Sequence, residues 1–138
     1  MNGMHLSQTS AKQFEIRQAL FSLLGEERVL CDPDELIVYE CDGLTLHPQL
    51  PDFVVFPATT EEVVGVIEIA KTYQIPFLPR GAGTCLSGGA VASEGGIILE
   101  LSRLKRILDI DFDNLFHGML LLCRSLVRQF LSNTHYLA

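Results

Sequence analysis

The stretch PFLPRGAGTCLSGGAV, residues 76–91, concentrates the residue types that could do chemistry in this chain. Gly81, Gly83, Gly88 and Gly89 let main-chain N–H groups curve around a single point and approach it closely. Thr84 and Ser87 add hydroxyl donors, and Arg80 is the one charge in the stretch, suited to neutralise a phosphate oxyanion. These types admit a phosphate cradle. They equally admit a tight structural turn, or a loop that covers a substrate. Two nucleotide-site patterns fail on spacing. No lysine follows the glycines as G-x-x-x-x-G-K-[ST] requires, and Leu86 stands where the third small residue of G-x-G-x-x-G would fall.

Other reactive side chains are dispersed. His5, His47, His117 and His135 form no constellation, and His47 in LTLHPQLPD reads as a surface-loop residue. Asp32, Asp34 and Glu35 read as a solvated acidic turn rather than a paired acid and base. Cys31, Cys41, Cys85 and Cys123 lie far apart, with no CxxC pair and no histidine at ligand spacing, so reduced, unpaired thiols are expected. No catalytic residue and no metal ligand is expected on this chain.

The glycine stretch needs elements on either side to hold it. SAKQFEIRQALFSLL (10–24) spaces Phe14, Ala19, Leu20, Leu23 and Leu24 as a helix that Gly25 would stop. An irregular lead-in rich in turn residues follows, with at most a short helical turn near 33–38. DFVVFP is a short buried strand. ATTEEVVGVIEIAKTYQ then opens with Thr59 and Glu62 at capping-box spacing and runs an apolar stripe through Val63, Val66, Ile67, Ala70 and Tyr73. Strands are expected at 75–79, 96–101 and 105–111, the last with Ile107 and Ile110 alternating against Arg106, Asp109 and Asp111. The order strand, helix, strand, glycine loop, strand is α/β, with the first two strands parallel across the helix.

Composition sets the frame for these elements. A chain of 138 residues, 48% hydrophobic and 20% charged, has the size and make-up of one globular domain. A net charge of -7 and the lack of a basic cluster argue against nucleic acid as a partner. The N-terminus has no basic stretch leading into an apolar one, and no apolar run nears the roughly 20 residues of a membrane-spanning helix. A cytoplasmic protein is expected.

The long run PDFVVFPATTEEVVGVIEIAKTYQIPFLPRGAGTCLSGGAV…GGIILELSRLKRILDID resembles the start of the FAD domain of the p-cresol methylhydroxylase type, in the vanillyl-alcohol oxidase superfamily. YECDG at 39–43 is similar to the flavin subunit of bacterial glycolate oxidase and its D-lactate dehydrogenase relatives. The resemblance covers residues 30–111, and P-R-G-x-G-T-x-L-S-G-G is its specific motif. It implies FAD as cofactor, wrapped at its pyrophosphate by main-chain amides. Arg80, Gly81, Ala82, Gly83 and Thr84 would form the first half of that cradle and Ser87, Gly88 and Gly89 the second, framed by Pro57 and Pro79. It further implies a mixed α+β or α/β fold, the first subdomain of a two-subdomain FAD-binding fold, here incomplete. The implied activity is oxidation of a small 2-hydroxy acid of the glycolate or D-lactate type, with other subunits of a glycolate oxidase complex as partners.

Two departures stand out. Position 85 is cysteine where the family has glycine. After ILDID the family continues with a strand and a V-x-P-G-V turn that FDNLFHGMLLLC does not contain, and residues 118–131 read instead as an apolar helix. Three stretches are therefore expected: a helix and irregular lead-in (1–49), the first part of an FAD-binding domain (50–111), and an atypical tail (112–138), truncated or shifted in frame. The alternatives are a non-catalytic remnant or interaction module, and a small phosphate- or nucleotide-binding protein.

Overall fold

In the computed structural model the structure describes residues 3–43, 45–46, 48–105, 107–111 and 116–119. Helix α1 (Gly3–Leu24) leads through a 3-10 turn to β1 (Val29–Leu30), and α2 (Pro33–Leu36) begins the lead-in. Strand β2 (Phe53–Val55), helix α3 (Thr60–Tyr73), β3 (Phe77–Arg80) and β4 (Ile97–Glu100) follow in turn. Strands β5 (Ile107–Asp111) and β6 (Phe116–Met119) close the described part.

Four strands form one sheet in the order β1-β2-β4-β3. Strands β2 and β3 both run parallel to β4, while β1 pairs antiparallel with β2. The expected parallel relation of β2 and β3 therefore holds in direction, but they are not neighbours. β4 sits between them, with Ile98 facing Val54 on one side and Leu78 on the other. Strand β1 has only two residues, too few to show an alternation.

The sheet is apolar on both faces because both are covered. Phe53, Val55, Ile97 and Leu99 face α1 and α3, packing with Ile16, Leu20, Leu24, Val63, Val66, Ile67 and Ala70. Val54 and Ile98 point the other way, against Leu36 of α2 and Ala92. In α1 the buried residues recur every four positions, at 16, 20 and 24. Phe14 is two residues out of that phase, about 200° around the helix, and is 62% exposed rather than part of the expected stripe. Gly65 of α3 lets the helices close up, since a Cβ there would meet Leu23 at 2.8 Å.

Helix α3 starts as its sequence specifies. Thr59 Oγ1 accepts the Glu62 amide at 3.2 Å, and Glu62 Oε2 accepts the Ala58 amide at 2.6 Å. The Arg28 guanidinium donates to both Glu62 carboxylate oxygens at 2.8 Å, and its Nε donates to Leu24 O at 2.6 Å. One arginine thus ties the end of α1 to the start of α3. Burial pushes the Glu62 carboxyl up, but the Ala58 amide and the Arg28 guanidinium outweigh it and hold the group below its ordinary value.

Strand β5 does not join the main sheet. It pairs antiparallel with β6, so the stretch after ILDID contains a strand where none was expected. Residues 118 and 119 of the expected apolar helix belong to β6, and its remainder lies outside the described residues.

Candidate functional site

The glycine-rich loop leaves the C-terminal end of β3 and returns as β4, so it is the crossover between two parallel strands. Open parallel sheets present ligands at this end of their strands. Pro79 lies in β3, an edge strand of the described sheet, where a missing N–H costs no ladder bond. The returning half packs down through Ala90, Val91 and Ala92, all buried.

Arg80 is only 9% exposed. Its Nη1 donates to Cys41 O at 2.9 Å and to Ala90 O at 2.8 Å, and its guanidinium lies 5.5 Å from the Tyr39 ring centroid. It therefore binds the start and the return of the loop to the 39–43 segment. Burial, then the Glu100 carboxylate, push the Tyr39 phenol up, and Arg80 draws it partly back.

Two of the loop glycines answer to the fold itself. Gly83 has φ +66°, and a Cβ there would come within 2.5 Å of Arg80 Nη2. Gly88 has φ +76°, a conformation that costs an L side chain roughly 1–2 kcal/mol. Gly81 and Gly89 answer to nothing in the protein. Both have φ values open to any residue, and a Cβ on either would have no neighbouring atom within 4 Å. Their missing side chains leave an open face over the backbone. Ala82, Thr84 and Ser87 are exposed on the same loop. The loop thus offers main-chain amides and two hydroxyls to a ligand that approaches the backbone closely.

Segment 39–43 supports the loop from beneath. Besides Cys41 O, Gly43 N donates to Cys85 O at 3.0 Å, while Asp42 Oδ2 accepts the Gly88 amide at 2.9 Å and the Cys85 thiol at 3.3 Å. Asp42 is not among the candidates that the sequence points to. The only available signal was its place inside YECDG, because its partners lie more than forty residues away.

The remaining candidates are not brought together. Asp32 caps α2 by accepting the Asp34 amide at 3.0 Å. Cys31, Cys41 and Cys85 are unpaired and half-buried, and among the described residues no cluster of His, Cys, Asp and Glu could hold a metal ion. His5 lies in α1 and His117 in β6, whereas His47, His135 and Cys123 lie outside the described residues. A cleft of about 440 Å³ between α1 and the 31–53 stretch, lined by Phe14, Arg17, Cys31, Leu36, Leu50 and Phe53, shares no residue with the loop. Among the described residues no helix is long and apolar enough to cross a membrane.

Comparison with known proteins bears on this arrangement. The family described as FAD binding domain matches residues 51–116. The glycolate oxidase subunit GlcD of Escherichia coli K12 is 42% identical over 83 residues, 60% of this chain and 17% of the relative. That of Bacillus subtilis is 32% identical over 101 residues, covering 73% and 22%. A D-lactate dehydrogenase of Anaerostipes hadrus is 39% identical over 95 residues, covering 68% and 20%. The chain thus spans only 17–22% of the length of these relatives. Among solved structures, p-cresol methylhydroxylase with substrate bound superposes with a TM-score of 0.64 at 27% identity, over 73% of this chain and 20% of its own. Alkyldihydroxyacetonephosphate synthase, at 19% identity, shares the fold with a TM-score of 0.68 over 83% of this chain and 25% of its own.

Proposed function

Because residues 51–116 match the FAD binding domain family and the fold is shared with p-cresol methylhydroxylase, we propose that this is the first part of such a domain and that its loop at 79–89 holds the FAD pyrophosphate. The observation that carries this reading is the open face at Gly81 and Gly89, where glycine answers no demand of the fold. The amides of Gly81, Ala82, Gly83 and Thr84 receive one side of the pyrophosphate. Those of Ser87 and Gly89, with the Thr84 and Ser87 hydroxyls, receive the other. Gly88 serves by its turn, since its own amide is bonded to Asp42. Pro79 fixes the strand that launches the loop. Arg80 acts from below, shaping the loop through Cys41 and Ala90, and lends its positive charge at longer range.

FAD supplies the capacity to accept a hydride equivalent from the α-carbon of a small 2-hydroxy acid. The relatives named glycolate oxidase subunit and D-lactate dehydrogenase support that substrate class. The word subunit in the former supports partner chains of a glycolate oxidase complex. The unpaired thiols of Cys31, Cys41 and Cys85 support a reducing compartment, the cytoplasm.

The test is a binding titration with FAD, ADP and riboflavin. FAD and ADP, which carry the pyrophosphate, should both bind, and riboflavin, which lacks it, should bind at least about tenfold more weakly. Equal binding of riboflavin and FAD would overturn the reading.

A further inference from the structure

We propose that Cys41–Gly43 is a clasp that sets the shape of the glycine-rich loop, with Asp42 as its positioning residue. The proposal deepens the pyrophosphate reading and rests on it for the ligand. Three consecutive residues each grip a different point of the loop. Cys41 O receives Arg80 at its start, Gly43 N donates to Cys85 O in its middle, and Asp42 Oδ2 accepts the Gly88 amide near its end. The same oxygen also accepts the Cys85 thiol.

Asp42 is 6% exposed, so an amide that leaves it would cost a buried carboxylate one of its charge-assisted bonds. The turn at Gly88 therefore follows Asp42. The charge also fixes which amides serve an anion. The Gly88 amide is committed to a carboxylate, and the fixed negative charge there disfavours a second anion at the same donor. The phosphate oxygens are thereby directed to Gly81 through Thr84 on one side and to Ser87 and Gly89 on the other. Asp42 touches no ligand in this scheme. It acts on binding through the loop.

Both loop bonds end on one oxygen, so asparagine, whose amide oxygen can take that place, keeps these two acceptor bonds without the charge. On the full chain, Asp42→Asn should move the Gly88 amide proton upfield, as a charge-assisted bond becomes a neutral one, and leave ADP affinity within about threefold. Asp42→Ala should abolish the exchange protection of the Gly88 amide, keep that of Ile98 and Leu99 in β4, and weaken ADP binding about tenfold or more. An unchanged Gly88 amide in both variants, or equal loss of ADP binding in both, overturns the clasp. If Asp42→Ala does not fold, Asp42→Asn decides alone: an upfield Gly88 proton supports the proposal and an unmoved one overturns it. If the unaltered chain binds no ADP, the pyrophosphate reading fails, and the Gly88 amide still judges the clasp.

Discussion

Gly83 and Gly89 sit six positions apart in one loop, and physics asks for glycine at each on different grounds. At Gly83 a side chain would collide with Arg80 in a left-handed backbone. Gly83→Ala should therefore lower stability by roughly 1–3 kcal/mol, read as a fall in the denaturation midpoint. At Gly89 a side chain meets no protein atom. Gly89→Val should leave stability within about 0.5 kcal/mol yet weaken ADP binding about tenfold, a split between thermal melt and titration. A melt that falls as far as that of Gly83→Ala would contradict the assignment. The glycines and Arg80 were legible as a group in the sequence. That Arg80 turns beneath the loop was not, because Cys41 lies 39 residues away and no local pattern announces a carbonyl acceptor.

At the scale of the element, the junction of α1 and α3 shows how far local rules reach. Thr59 and Glu62 mark the helix start in sequence, and the Thr59 cap forms. The Glu62 carboxylate also reaches beyond the helix start, to the Ala58 amide and to Arg28, the latter 34 residues distant. Despite burial, the Ala58 amide and Arg28 hold the Glu62 carboxyl below its ordinary value in the folded protein. Its depressed value contributes stability that is full above the ordinary carboxyl value and is lost as pH falls through the folded one. Glu62→Gln should cost roughly 1–3 kcal/mol at neutral pH. Chemical denaturation should show the difference shrinking as the pH drops below that range, and a pH-independent difference would exclude the charge as the cause. Helix α3 and strands β2, β3 and β4 were readable because each carries its own period and punctuation. The β1 strand and the β5–β6 pairing were not. Two residues carry no alternation, and pairing with 116–119 depends on a partner strand rather than on the strand itself.

For the whole molecule, the sheet joins stability to the site. The fold class followed from element order, but strand order did not, because inserting β4 between β2 and β3 is decided by packing on both faces. Ile98 is fully buried on the face that also receives Ala92, where the loop lands. Ile98→Ala should cost roughly 2–5 kcal/mol in denaturant unfolding. The central claim is that the loop leaving β3 is an FAD pyrophosphate cradle. Its most direct test is an amide chemical-shift titration of the full chain with ADP. The account predicts shifts concentrated at Gly81, Ala82, Gly83, Thr84, Ser87 and Gly89. Shifts confined to the cleft beside α1, or none at millimolar ADP, would contradict it.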